Sequence, residues 1–444
     1  MAYNFLPVER DQTYLMPPSL ADWLPEDHLS WFVLDAVDEI DLALFYRRYR
    51  ADGWGAAAFD PKMMVALLLY AYCVGERSSR RIERRCNEDV AFRVICANQV
   101  PDHTTIARFR QSNEQALGAC FTEVLKLCQA AGLLQVGLVA LDGTKVEADA
   151  SIGANRNLPQ IEAEVARMLE EASRTDAEED ERLGTARGDE LPNELRDRRS
   201  RLARLAECKA RLEDEAASRE AAYQGHLARR AVIEAERGRP LRGRKPVLKG
   251  PRSSTSAKAN TTDPDSRIMK GARGFMQGYN AQAVVNENQI VLAAAVTHEA
   301  NDRRQLRPML AKTEANLAQI SAGPVGVLVA DTGYWNEREL AEVDQESAEL
   351  LVATQESRGR MSTGRSRATT SMRAMQRKLR TKRGRRLFAR RAQIVEPIFA
   401  EVKGPRRTTR FMRRGITACD AEWKLLCTTN NLLKLWRARS RPPR

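Results

Sequence analysis

Apolar positions along the chain change their spacing several times, and each change marks an element. Over residues 61–75, Met63, Ala66, Leu67, Tyr70, Ala71 and Val74 recur at helical spacing, and Gly75 closes the run. Shorter helices follow around SSRRIERRC and DVAFRVICA. Asp102 then caps a longer helix carrying Ile106, Phe109, Leu117, Cys120, Phe121, Val124 and Cys128. Residues 1–132 therefore read as an all-helical N-terminal domain. Its short helices, ending in DHTTIARFRQS, suit a helix-turn-helix with Thr104, Thr105, Arg108 and Arg110 facing DNA. An ordinary bundle with surface arginines explains the same pattern more simply.

From Leu133 the period shortens. VGLVAL is continuous and β-branched, as a buried strand requires, and TKVEADA reads as its partner. Residues 156–245 shift to Glu, Arg, Ala and Leu, with Leu195 and Leu202, then Leu205 and Leu212, seven apart as in a helical seam. GDELPNE interrupts this stretch, which predicts an inserted antiparallel helical hairpin. Residues 237–265 are rich in Pro, Gly, Ser and cations and read as an extended linker or DNA-contacting loop. GYNAQAVV and IVLAAAV around NENQ form a β-hairpin signal. A helix over 302–319, strands at VGVLVA and ELLVAT, and a mobile Ser/Arg-rich segment at 356–386 follow. In the last basic stretch Val395, Ile398, Phe399 and Val402 share a helical face, and Pro397 either kinks that helix or begins it. The predicted class is α/β, a mixed sheet flanked by helices. Its parts are a sheet domain over 133–155 plus 246–404, the insertion over 156–245 and a basic helical segment over 405–444.

Charge sharpens this picture. The 444 residues carry a net +13 with pI near 9.5. Residues 355–444 hold 26 Lys+Arg against 5 Asp+Glu, while the other 354 hold 46 against 54. In the basic quarter, cations alternate with Leu387, Phe388, Phe399, Phe411 and Trp436, as on a folded polyanion-binding surface. Eight scattered cysteines without a Cys-x-x-Cys, and four histidines, argue against zinc and disulfides and for a reducing cytoplasm. PKMMVALLLYAYCVG is too short to span a bilayer and MAYNFLPVERD lacks a signal pattern, so no membrane partner is expected.

Three carboxylates are the candidate chemistry. Asp142 and Asp331 each follow a buried strand, at the rim of the sheet, and Glu396 lies in the basic helical stretch with Lys403 seven residues on, nearly on one face. Such oxygen ligands suit hard divalent cations and phosphate chemistry. Each has a plainer explanation. Asp142-Gly143 is a hairpin-turn signal. Asp331-Thr332-Gly333 is a turn before a helix start, and Glu396 suits a surface ion pair. Tyr334 and Trp335 either stack on an unpaired base or pack in the core.

The blocks ALDGTKVEADAS, VADTGYWNE and VEPIFAEVKGPRRTTRFMRRG resemble, in order, the three motifs of DDE-type bacterial insertion-sequence transposases. FDPKMMVALLLYAY through VPDHTTIARFRQ resembles the N-terminal domain of one branch, which likewise carries a charged helical insertion. The resemblance implies a ribonuclease-H-like catalytic domain. It makes Asp142, Asp331 and Glu396 the ligands of two Mg²⁺ ions, with Mn²⁺ a substitute, and Lys403 the catalytic basic residue. It implies an enzyme that cuts and joins double-stranded DNA at an element's inverted repeats, acting as a homodimer on DNA. Contacts to DNA are expected from Thr104, Thr105, Arg108, Arg110, Tyr334, Trp335, Arg390, Arg391, Lys403, Arg406, Arg407, Arg410, Arg413 and Arg414. The match departs where relatives carry a tyrosine and an arginine upstream of the glutamate: Phe388 or Ala389 stands at the tyrosine, and Arg390 and Arg391 both offer the arginine. A catalytically silent DNA-binding derivative and a simple metal-dependent nuclease of the same fold are the competing functions.

Overall fold

The computed structural model describes residues 19–49, 57–183, 193–241, 243, 247, 257–271, 274–343, 348–354 and 369–440. Helices come first: α1 (Leu29–Asp38), α2 (Ala43–Tyr46), α3 (Pro61–Cys73), α4 (Ser79–Glu88), α5 (Val90–Ile95), α6 (His103–Ser112) and α7 (Glu114–Ala130). Asp60 caps α3 by accepting the Lys62 N–H at 2.8 Å, and Pro61 occupies the first turn, where its missing N–H costs nothing. Every residue from Met64 to Cys73 is buried, so α3 is a central helix wrapped on all sides. Asp102 caps α6 as expected, but the predicted long helix breaks at Asn113, whose side-chain amide donates to the Phe109 carbonyl at 2.8 Å.

The rest of the chain builds a sheet and its covering helices. In order these are β1 (Leu138–Glu147), β2 (Asn155–Asn157), α8 (Leu158–Leu183), α9 (Asn193–Arg237), β3 (Lys258–Asn260), β4 (Arg267–Gly271), β5 (Gly274–Asn286), β6 (Val291–Thr297), α10 (Leu306–Gln319), β7 (Val327–Ala330), α11 (Glu337–Glu342), β8 (Glu349–Val352), α12 (Thr370–Arg380), α13 (Lys382–Ala389), α14 (Arg391–Lys403) and α15 (Ile416–Arg439). The main sheet runs β4–β5–β1–β7–β8, with β6 sharing the β4 edge of β5. β1 is antiparallel to β5 and parallel to β7, and β7 is parallel to β8. This mixed α/β sheet is compatible with a ribonuclease-H-like fold.

Several local expectations give way. Asp142-Gly143 makes no turn: β1 runs straight through it, pairing Asp142 with Ala283 and Gly143 with Gln282 and ending at Glu147 opposite Gly278. TKVEADA is thus the second half of the same strand, because β5 is long enough to satisfy all of β1. Residues 370–386, expected to be part of a mobile segment, lie in the helices α12 and α13, with Thr369 and Thr381 as N-caps; 355–368 lie outside the described residues. The supposed linker contributes β3, which pairs with β2 and joins the two crossings at the base of the α8–α9 insertion; most of 242–256 lies outside the described residues. Leu205 and Leu212 face a small separate core with Ile161, Cys208, Ala257 and Ala259, as a helical seam should. The GDELPNE break falls largely outside the described residues.

One apolar core joins the N-terminal helices, the sheet, α14 and α15. α15 packs against α3, α7 and β6 together. The basic C-terminal segment therefore contributes a buried strut as well as surface charge.

Candidate active site

Strand register creates the site. Leu141 of β1 pairs with Ala330 of β7, so the next residues, Asp142 and Asp331, come side by side where β7 ends and β1 runs on, on neighbouring strands about 4.8 Å apart. Asp331 caps a 3₁₀ turn over Thr332–Tyr334, accepting the Gly333 N–H at 2.7 Å. Asp142 accepts the Gly143 N–H at 2.8 Å. Burial pushes the Asp142 carboxyl above its ordinary range and Asp331 pushes it further, while the Gly143 N–H and Arg391 pull it back.

Helix α14 lies against β1 and β5 and brings the third carboxylate. Arg391 spans two members of the set: Nη1 is 2.7 Å from Asp142 Oδ2 and Nη2 is 3.9 Å from Glu396 Oε1. Glu396 itself is largely exposed, at 63%. At the other end of the helix Lys403 Nζ donates to the Lys145 carbonyl of β1 at 3.0 Å, and burial lowers its pKa. Pro397 lies inside the helix, not at its start. The Gln393 carbonyl that a proline at 397 cannot bond accepts Gln289 Nε2 at 3.0 Å instead.

A polar network that the three motif blocks do not foretell stands behind the carboxylates. Asp302 accepts Asn280 Nδ2 at 2.7 Å and Gln282 Nε2 at 2.8 Å, and Lys145 Nζ lies 3.8 Å away. Gln282 Oε1 accepts the Tyr334 hydroxyl, tying the Asp331 turn to β5. Asn280 and Gln282 are both fully buried. Its one signal in the sequence is GYNAQAVV, where two amides alternate on one face of an otherwise apolar strand. Gly143 makes room for them, since a Cβ there would collide with the Gln282 amide.

Residues 353–436 match the family model described as Transposase DDE domain, and residues 18–112 match Transposase domain (DUF772). Both matches support an insertion-sequence DDE transposase. No curated protein and no solved structure matches it. The DDE match contains Glu396 and Lys403; Asp142 and Asp331 lie outside it and are joined to them by the geometry above.

Several residues expected to touch DNA serve as internal ties. Tyr334 is fully buried, so it cannot stack on a base. Trp335 packs partly buried against the core. Arg406 is 2% exposed and donates to the Leu426 carbonyl and to Thr429 Oγ1, both at 3.0 Å. Arg110 joins helices by donating to Tyr72 Oη at 3.1 Å, the Arg77 carbonyl at 2.8 Å and Ser79 Oγ at 2.9 Å. Thr105 gives its hydroxyl to the capping Asp102, and Arg413 pairs with Glu114. The spacing of each suits a surface residue, because spacing does not reveal the neighbouring element. Thr104, Arg108 and Arg407 are exposed, and Arg390, Arg410 and Arg414 are exposed while pairing with Glu287, Glu147 and Asp149.

The larger basic surface lies elsewhere. On α12 and α13, Arg373, Arg377, Lys378, Arg380, Lys382, Arg383, Arg385 and Arg386 are all exposed, with no acidic residue in either helix. Met375 anchors α12 in the core, α12 packs on β8, and α13 packs on α14. This charge therefore stands on a folded platform that leads into the helix carrying Glu396.

As the site stands, no three His, Cys, Asp or Glu side chains among the described residues converge tightly enough to hold one metal ion. The donors nevertheless fit a hard divalent cation: all are carboxylate oxygens, and a guanidinium already bridges two of them. Among the described residues no helix is long and apolar enough to cross a membrane.

Proposed function

We propose that this transposase cuts DNA at the inverted repeats of its element and joins the ends to target DNA, with Asp142, Asp331 and Glu396 holding two Mg²⁺ or Mn²⁺ ions. The observation that carries this reading is the β1–β7 register, which sets Asp142 beside Asp331 while Arg391 links Asp142 to Glu396. The bound ions would supply an activated water and neutralise the oxygen that leaves. Water attacks the scissile phosphorus in line and the 3′-oxygen departs; the freed 3′-hydroxyl then attacks a target phosphodiester in the same way. Asp142 would hold the ions together with Asp331 and Glu396, and Lys403, at the far end of α14 from Glu396, would hold a backbone phosphate. No covalent enzyme–DNA link is needed.

On this reading residues 1–132 recognise the inverted repeats, residues 133–155 with 246–404 carry the chemistry, and α12–α13 hold duplex backbone through counterion release. Two such chains pair two ends, giving a homodimer on DNA. The test is strand transfer with Mg²⁺ on DNA carrying the element's ends. Asp142→Asn should abolish cutting and joining and leave end binding intact; a variant that still cuts removes Asp142 from the chemistry. Wild-type protein that cuts and never joins is a nuclease, and one that binds and never cuts is a silent derivative.

A further inference from the structure

Arg391 stands where a cation between the carboxylates would be. Its side chain is 16% exposed, its Nη1 lies 2.7 Å from Asp142 Oδ2 and its Nη2 faces Glu396 Oε1 at 3.9 Å. Asp142 is itself only 22% exposed, so its charge is poorly solvated and repelled by its neighbour Asp331. A fixed guanidinium is the simplest way to hold these carboxylates together without a metal.

We propose that Arg391 is an exchangeable counter-ion: it closes the metal-free site, is expelled when a divalent ion binds, and then takes a phosphate of the DNA. The inference rests on the two-metal reading above. Mg²⁺ binds carboxylate oxygen at about 2.0–2.1 Å and demands an octahedral oxygen shell. A guanidinium on the same Asp142 oxygen takes part of that shell and adds like charge beside the ion, so the two compete. The freed side chain has a destination. It begins α14 next to exposed Arg390, and α13 presents Arg385 and Arg386 just before it, so phosphate held by this surface lies within the same neighbourhood. Metal would thus release the arginine that DNA needs, and DNA would hold away the arginine that opposes metal. Thermodynamic linkage makes this coupling reciprocal.

The sign of one measurement separates this role from simple positioning. Mn²⁺ is titrated calorimetrically into full-length protein without DNA, for wild type, Arg391→Gln, Arg391→Lys and Asp142→Asn, with circular dichroism confirming the fold of each. Removing a competing charged hydrogen bond should tighten Mn²⁺ binding in Arg391→Gln by about tenfold or more. Arg391→Lys keeps the charge without the two-pronged geometry and should fall between wild type and Arg391→Gln. In a second titration, the gain in end-DNA affinity on adding Mn²⁺ should shrink in Arg391→Gln. Equal or weaker Mn²⁺ binding by Arg391→Gln overturns the exchange. Mn²⁺ binding unchanged in Asp142→Asn overturns the metal site itself, a distinct result.

Discussion

Asp142 owes its place to its neighbours more than to its own preferences. Asp-Gly favours a tight turn, yet here it lies in mid-strand, with Gly143 giving Gln282 and Asn280 room to reach Asp302. Gly143→Ala should therefore displace those amides, lowering the melting temperature and cutting activity together; unchanged activity would show that the network does not support the site. Tyr334→Phe tests the other end. It leaves Gln282 Oε1 buried without its donor, which should cost about 1–3 kcal/mol in denaturant unfolding. A cost near zero would mean that the tie to the Asp331 turn is dispensable.

At the scale of elements, α14 carries its kink-prone residue because Gln289, from the β5–β6 turn, bonds the carbonyl that Pro397 strands. That contact fixes the half of the helix bearing Arg391 and Glu396 against the sheet. The helices α12 and α13 form a cationic face through spacing alone: Met375 is turned to the core and the arginines outward. Changing Arg373, Arg377, Arg380, Arg385 and Arg386 to Gln should weaken binding to any duplex. It should also flatten the dependence of log K on log salt by about 0.9 for each phosphate that is no longer neutralised. Sequence-selective weakening with an unchanged salt slope would place the backbone contacts elsewhere.

For the whole molecule, α15 decides how the parts cohere. Glu422 is 2% exposed and pairs with Arg77 at 2.8 Å, joining α15 to the segment between α3 and α4. Burial raises the Glu422 pKa and Arg77 opposes the rise. Glu422→Ala leaves the buried Arg77 charge without its carboxylate, with only the Arg410 carbonyl still accepting from it at 3.0 Å, and should cost about 3–5 kcal/mol. Because the N-terminal helices share this core, they should melt with the sheet in one transition; a separate early transition would show that they fold alone. Acid gives a second test at this scale. Burial alone would raise Glu401, but Arg437, Arg406 and Lys434 bring its pKa below the ordinary 4.5. A depressed folded pKa adds stability above 4.5 that is lost as pH falls through the folded value. Arg437→Gln should thus be less stable than wild type near neutrality, and the gap should close below pH 4.5.

The sequence by itself determined what depends on local period and residue chemistry. The helical start, the strands at VGLVAL, VGVLVA and ELLVAT, the GYNAQAVV–IVLAAAV hairpin and the seam at Leu205 and Leu212 are all written in spacing. Asp142, Asp331 and Glu396 stand out as candidates because they lie in three blocks that resemble, in order, the DDE motifs. Tertiary structure decided what depends on partners far along the chain. Register set Asp142 beside Asp331, the length of β5 overrode an Asp-Gly turn, and burial made Arg110, Tyr334, Arg406 and Arg413 internal ties rather than surface contacts. An arginine's pattern in sequence is the same whether it meets water or a buried carbonyl. Only the packed neighbour, chosen by the whole fold, distinguishes the two, and at Arg391 that neighbour is the carboxylate pair itself.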